Sequence, residues 1–194
     1  MSTINDIFLG CKRGDAQSQK LLYKQYGPVL KGICGRYFKD TALCSDMLQD
    51  TFIKIFDKIS QFNEEGSFEG WMKRIAVTTC IDYIRKNKTR FTAEEIDANS
   101  DFVQENEEEE YNIVNEILEI GFSKQVLFDF LHQLPDKQRL IFNLFCLDKL
   151  THKEIAEKLD TSEAMSRKLL CKSRETLRVL LTQYVQQHKM LVKT

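Results

Sequence analysis

Apolar residues recur at helical spacing through most of the chain. Leu22, Tyr26, Val29, Ile33 and Tyr37 follow one another at intervals of three and four, which predicts a helix from Asp15 to Phe38. Pro28 interrupts that pattern and is expected to kink or divide the helix, because proline lacks an amide hydrogen and crowds the preceding turn. A second helix is predicted from Ala42 to Phe62 and, after a break at Gly66-Ser67, a third from Phe68 to Lys88. In the C-terminal half the pattern predicts helices over Lys124–Gln133, Pro135–Leu147, Lys153–Leu159 and Ser162–Gln187. Pro135 suits a first helical turn, and Ser162 suits an N-cap. Tyr111 to Ile120 is expected to form a short helix, since Ile113, Ile117 and Ile120 align.

The fold class expected is all-α, with two small helical domains joined by an acidic linker. Only 8 Gly and 2 Pro in 194 residues leave few turns, which favours long helices over many short strands. The boundaries expected are residues 1–90 for the first domain, 91–122 for the linker, 123–187 for the second domain and 188–194 for a tail.

Charge is distributed in blocks, although the formal net charge is only −1. Trp71 to Arg90 carries Lys73, Arg74, Arg85, Lys86, Lys88 and Arg90 against the single acid Asp82. Glu94 to Glu119 has no Lys or Arg and peaks at Glu107 to Glu110. Too polar to build a core, this linker is expected to be loosely structured.

The segment Thr151 to Leu177 reads THKEIAEKLDTSEAMSRKLLCKSRETL. Ile155, Ala156 and Leu159 share one face of a short helix, a break follows at Asp160-Thr161, and a longer helix continues. Two helices joined by so short a turn form a helix-turn-helix, whose second helix enters a DNA major groove. That helix carries Arg167, Lys168, Lys172, Arg174 and Arg178, so its outer face is expected to be basic, as a phosphate-facing helix requires. A solvated helical hairpin is the alternative reading of this segment.

Two further constellations stand out. Along Asp46 to Ile59, Leu48, Phe52, Ile55 and Ile59 make one apolar stripe, while Ile53 and Phe56 are offset beside Gln49. A second stripe on a helix bearing Asp46, Asp50 and Asp57 is expected to face a partner; the alternative is a central core helix. Phe68 and Trp71 lie beside Lys73 and Arg74. Aromatic faces stack on unpaired bases while cations hold the backbone, but Phe68, Trp71 and Ile75 read equally well as core.

The sequence lacks a phosphate-cradling Gly-rich loop, an H-E-x-x-H motif and a nucleophile–base set, so no enzyme and no cofactor are expected. Cys11, Cys34, Cys44, Cys80, Cys146 and Cys171 include no C-x-x-C pair and no neighbouring His at ligand spacing. They read as small buried hydrophobes, with no metal site. Neither a signal peptide nor a membrane-length apolar run is present, so a cytoplasmic protein without membrane insertion is expected.

In order, these pieces resemble a bacterial sigma factor of the extracytoplasmic-function (ECF) type. The resemblance runs from about Ala16 to Leu181. It rests on DMLQDTFIKIF (Asp46 to Phe56), GSFEGWMKRIA followed by IDYIRK, LPDKQRLIFNL (Leu134 to Leu144) and THKEIAEKL. It implies a sigma region 2-like domain and a sigma region 4-like helix-turn-helix domain, both of which bind core RNA polymerase. The first would recognise and open the promoter minus-ten element, and the second would recognise the minus-thirty-five element. By position, Asp46, Gln49, Asp50, Ile53 and Phe56 match the polymerase-binding helix. Trp71, Lys73, Arg74, Thr78, Asp82 and Arg85 match the minus-ten and melting region. Arg167, Lys168, Cys171, Lys172 and Arg174 lie on the minus-thirty-five helix. The partners implied are core RNA polymerase, promoter DNA and an anti-sigma factor, with the free chain a monomer.

The sequence departs from many relatives at Thr78, at Asp160 in the turn and at Ala164-Met165. An alternative is a sigma-like interaction protein that contacts DNA poorly and exposes Met165 and Leu169 to a protein partner. A free-standing DNA-binding regulator would need a dimer to match a two-fold site, and no additional dimerisation helix is apparent.

Overall fold

The computed structural model describes residues 4–63, 65–87 and 124–191. The expected linker, with its short helix at Tyr111 to Ile120, lies outside the described residues. The chain divides into two compact units, Met1–Lys88 and Thr89–Thr194. Among the described residues the architecture is all-helical, with eight α-helices.

The N-terminal unit contains α1 (Ile4–Lys12), α2 (Ala16–Tyr37), α3 (Thr41–Lys58) and α4 (Phe68–Asn87). Helix α2 begins at Asp15, whose carboxylate accepts from the Ser18 amide at 2.8 Å and satisfies one of the free donors of the first turn. Asp40 does the same for α3, accepting from the Ala42 amide at 2.7 Å. Pro28 neither divides nor ends α2, which runs unbroken past its exposed ring. Helix α3 stops at Lys58 and tightens into a 3-10 turn over Ile59–Gln61, short of the Phe62 expected from the pattern.

Helices α2, α3 and α4 pack against one another around Leu22, Leu30, Cys34, Ile55, Met72, Ala76 and Cys80, all fully buried. The expected pattern missed α1. It packs on α2 and buries Ile7, Phe8, Gly10 and Cys11, with the Phe8 ring against Phe62 and Phe68. A Cβ on Gly10 would lie 2.0 Å from Ser18 Oγ, so only glycine lets the two backbones meet there.

The C-terminal unit contains α5 (Lys124–Gln133), α6 (Asp136–Phe142), α7 (His152–Leu159) and α8 (Glu163–Leu191). Pro135 is the N-cap of α6 and not a first-turn residue, and α6 passes into a π-helical turn over Asn143–Leu147. Ile141, Phe142, Leu144, Ile155, Leu170 and Leu177 fill the core. The buried Arg139 pairs with Asp136 and donates to the Leu134 carbonyl at 3.2 Å, which ties the α5–α6 turn down. Helix α8 continues to Leu191, four residues past the expected end at Gln187, and Tyr184 packs edge-on against Phe130 of α5.

Five of the six cysteines are buried within these cores, as small hydrophobes are; Cys171 is half-buried. No helix among the described residues is long and apolar enough to cross a membrane.

Candidate functional site

Helix α3 presents the apolar and acidic face that its sequence suggested. Ile53 is 58% exposed, unusual for so large an apolar side chain, and Asp46, Gln49, Asp50 and Asp57 are exposed on the same helix. Phe56 is only half-exposed, because its ring leans on Phe52 at 5.8 Å, and Phe52 in turn touches Tyr23 of α2 at 4.7 Å. Tyr23 is itself 46% exposed and was not anticipated; it lies off the stripe of Leu22, Tyr26 and Val29 that defined α2.

Helix α4 gathers a second face. Trp71, Arg74, Thr78, Asp82 and Arg85 recur at intervals of three and four and so share about 80° of arc at 3.6 residues per turn. Lys73 lies about 140° from the middle of that arc, and its ammonium pairs with Glu69 at 2.6 Å. Asp82 is not an isolated acid: Lys54 of α3 reaches it at 3.4 Å and Arg85 at 3.6 Å. Trp71 is half-buried. Its ring lies 5.7 Å from Phe68 and nearly parallel to it, and 5.5 Å from Phe62. Phe8 of α1 completes this cluster of four rings. Trp71 is thus partly core, with one part of the ring left at the surface.

The helix-turn-helix is built by α7 and α8. Thr151 caps α7 with a capping box, its hydroxyl accepting from the Glu154 amide while the Glu154 carboxylate accepts from the Thr151 amide. The bonds that the Glu154 carboxylate accepts, from the Thr151 amide and also from the Thr151 hydroxyl at 2.8 Å, hold its carboxyl below the ordinary pKa. Asp160 closes α7 in the left-handed conformation, φ 53° and ψ 53°, which a short polar side chain tolerates in place of glycine. Ser162 caps α8, its hydroxyl accepting from the Met165 amide at 3.1 Å.

The expectation that all five cations named on α8 make its outer face basic is corrected for two of them, Lys168 and Arg174. Arg174 is 2% exposed, because it stands four residues after Leu170 and three before Leu177 and so on the core stripe. Lys168 is 9% exposed and shares its side of the helix with the buried Met165, three residues earlier. Arg167, Lys172 and Arg178 remain outside, interspersed with the acids Glu163 and Glu175, and Arg167 pairs with Glu163 at 3.4 Å. Cys171 is half-buried with its thiol 3.9 Å from Glu175. The burial of Met165 also removes half of the exposed Met165–Leu169 pair on which the interaction-protein alternative relied.

The sequence reading passed over His152. It is buried at the start of α7, stacks on Phe145 at 4.4 Å, and shares a 2.8 Å hydrogen bond with Ser166 of α8. Burial, followed by the nearby cations Arg167 and Arg174, lowers its pKa from 6.5 to about 4. The imidazole is therefore neutral at physiological pH and links the two helices of the motif.

Comparison with known proteins accounts for both units. Residues 22–90 match the family model for sigma-70 region 2, and residues 124–177 match that for sigma-70 region 4. Together the two matches span more than half of the chain. The ECF RNA polymerase sigma-E factor of Haemophilus influenzae is 28% identical over 169 residues, covering 86% of this chain and 88% of that protein. The ECF RNA polymerase sigma factor SigM of Bacillus subtilis is 29% identical over 142 residues, covering 73% and 82%. The solved structure of CnrH in complex with the cytosolic domain of CnrY aligns with 91% of this chain and 96% of that one, at 17% identity and a TM-score of 0.47. The chain belongs to the ECF RNA polymerase sigma factors. It is a transcription initiation factor without enzymatic activity, and it directs RNA polymerase to promoters.

Proposed function

We propose that the N-terminal unit carries two working faces. The α3 face of Asp46, Gln49, Asp50, Ile53 and Phe56 docks on core RNA polymerase. The α4 face of Trp71, Arg74, Thr78, Asp82 and Arg85 recognises and opens the minus-ten element, with Lys73 at its margin. The observation that carries this reading is the exposure of Ile53 on an acid-ringed helix, next to a helix whose own exposed line is cationic. Large exposed apolar groups mark protein interfaces, and phosphates seek cations.

The C-terminal unit recognises the minus-thirty-five element through α8. Arg167 lies in the first turns of that helix, where recognition helices touch base edges. Lys172 points about 140° away around the helix, which suits one residue on the groove floor and the other on a phosphate wall. Lys168, Cys171 and Arg174, less exposed, support the helix from within its packing. The sigma factor works in the cytoplasm beside the chromosome, and an anti-sigma factor that covered Ile53 would exclude polymerase. The test is to reconstitute the chain with core polymerase and sequence the DNA that the holoenzyme protects. A shared two-part motif supports the reading; polymerase binding without any protected motif would favour a sigma-like interaction protein.

A further inference from the structure

Lys54 follows Ile53 on α3, but its ammonium reaches across to α4 and not to the face that Ile53 occupies. There it meets Asp82 Oδ2 at 3.4 Å, while Arg85 approaches Asp82 Oδ1 at 3.6 Å. A single carboxylate thus faces two cations, and one positive charge remains at the junction. All three side chains are between 35% and 58% exposed. Ion pairs this open to water add little to stability. Helices α3 and α4 are already joined by the fully buried Ile55, Met72, Ala76 and Cys80, so the fold has small need of the triad. Its main effect is to place Lys54 beside Arg85, at the end of the exposed line that begins at Trp71 and Arg74.

We infer that Lys54 is a DNA-backbone contact and that Asp82 is a positioning residue, which aims Lys54 and Arg85 and does not read a base. The ligand is a phosphodiester of the promoter strand that lies along α4. Acidic Asp82 would repel that strand if it acted alone. Flanked by two cations, it fixes their ammonium and guanidinium groups while leaving their outer donors to a phosphate oxygen. The inference rests on the reading of α4 as the minus-ten face, and it adds to that face a residue from the helix assigned to polymerase.

The experiment uses holoenzyme reconstituted from the full chain and core polymerase. The probe is a promoter fragment taken from DNA that wild-type holoenzyme protects, presented as duplex and in pre-melted form. Lys54→Gln is expected to weaken binding to both forms about threefold to tenfold. It should also reduce the slope of log affinity against log salt by about 0.7–0.9, the loss of one phosphate contact. Core binding should stay unchanged. Lys54→Arg should retain affinity and slope. Asp82→Asn keeps both cations but no longer aims them, so affinity should fall by less than in Lys54→Gln, with the slope near wild type and Tm and promoter discrimination unchanged; a loss of discrimination at one promoter position would show that Asp82 reads a base and overturn its assignment. A wild-type slope in Lys54→Gln overturns the inference. So does a parallel loss of Tm, slope and affinity in Lys54→Gln and Asp82→Asn, which would reduce the pair to a structural link. Arg74→Ala serves as the independent check on α4. If it impairs binding while Lys54→Gln does not, only the present inference fails; if it has no effect, the α4 reading fails, while the salt slope of Lys54→Gln still decides the role of Lys54.

Discussion

Lowering the pH should loosen the helix-turn-helix through His152. The ring is 5% exposed, shares a 2.8 Å hydrogen bond with Ser166, and has its pKa lowered from 6.5 to about 4 by burial and by Arg167 and Arg174. A histidine whose folded pKa lies below its unfolded value favours the fold while neutral. Its contribution is therefore fully present above pH 6.5 and is lost as the pH falls toward 4. At 1.36 kcal/mol per unit, the shift corresponds to about 3 kcal/mol in full, of which about 2 kcal/mol has gone by pH 5. That is a large fraction of the stability of a small helical unit. Nuclear magnetic resonance of the full chain gives the imidazole titration directly, and urea unfolding followed by far-ultraviolet circular dichroism from pH 4 to 7.5 gives the stability. Carboxylates also titrate in this range, so the His152→Asn variant is the reference. It keeps a side-chain polar group near Ser166 but cannot ionise, and its stability should fall less steeply below pH 6.5. A His152 resonance titrating near its ordinary value in the folded chain, or identical pH profiles for the two proteins, would refute the reasoning.

Three other outcomes follow from the packing and the exposed faces. Gly10→Ala pushes a methyl into Ser18 and should cost about 1–3 kcal/mol in thermal or urea unfolding; a second change, Ser18→Gly, should recover part of the loss. Ile53→Glu should leave the unfolding free energy within about 0.5 kcal/mol of wild type, as exposed substitutions do, while abolishing co-purification with core polymerase; retained co-purification would remove Ile53 from the interface. Arg167→Ala should relax preference at one minus-thirty-five position by about 1–3 kcal/mol, whereas Lys172→Ala should weaken all sequences alike and lower the salt slope by about one; sequence-independent losses from both would reject that division.

Much of the fold was legible because its long helices carry both a period and punctuation. The predicted Asp15–Phe38 differs from α2 only in counting the two caps, and Lys124–Gln133 coincides with α5. Helix α1 was not legible. A nine-residue helix is marginal by itself, and what holds it is the Gly10–Ser18 approach and the burial of Phe8, both supplied by other elements. The candidate sites divide in the same way. The α3 face could be read because Ile53 is out of phase with the core stripe. The α8 face was misjudged by counting its cations without regard to their radial position. Arg174 could have been placed by its spacing to Leu170 and Leu177, whereas nothing local announces the burial of Lys168. His152 and Ser166 lie 14 residues apart, so their link appears only once the turn is folded. The T-x-x-E capping box, which sets His152 at the first helical position, was the one local signal available.

The balance of charge on the N-terminal unit gives these faces a common logic. Helix α3 exposes Asp46, Asp50 and Asp57 around Ile53, and α4 exposes Arg74, Arg85 and Lys86. A polyanion is repelled by the first and attracted by the second, so the apolar Ile53 stays available for a protein even when DNA is close. A chain of net charge −1 would bind free DNA weakly. Inside a holoenzyme that weakness is useful. Polymerase fixes the unit near the strand, and a few correctly placed cations then suffice where a free-standing DNA-binding protein would need many. On this reasoning Lys54, a cation that crosses from α3 to α4, would matter more than its single charge suggests: under the proposed assignment it extends the DNA-facing line without adding positive charge to the proposed polymerase face.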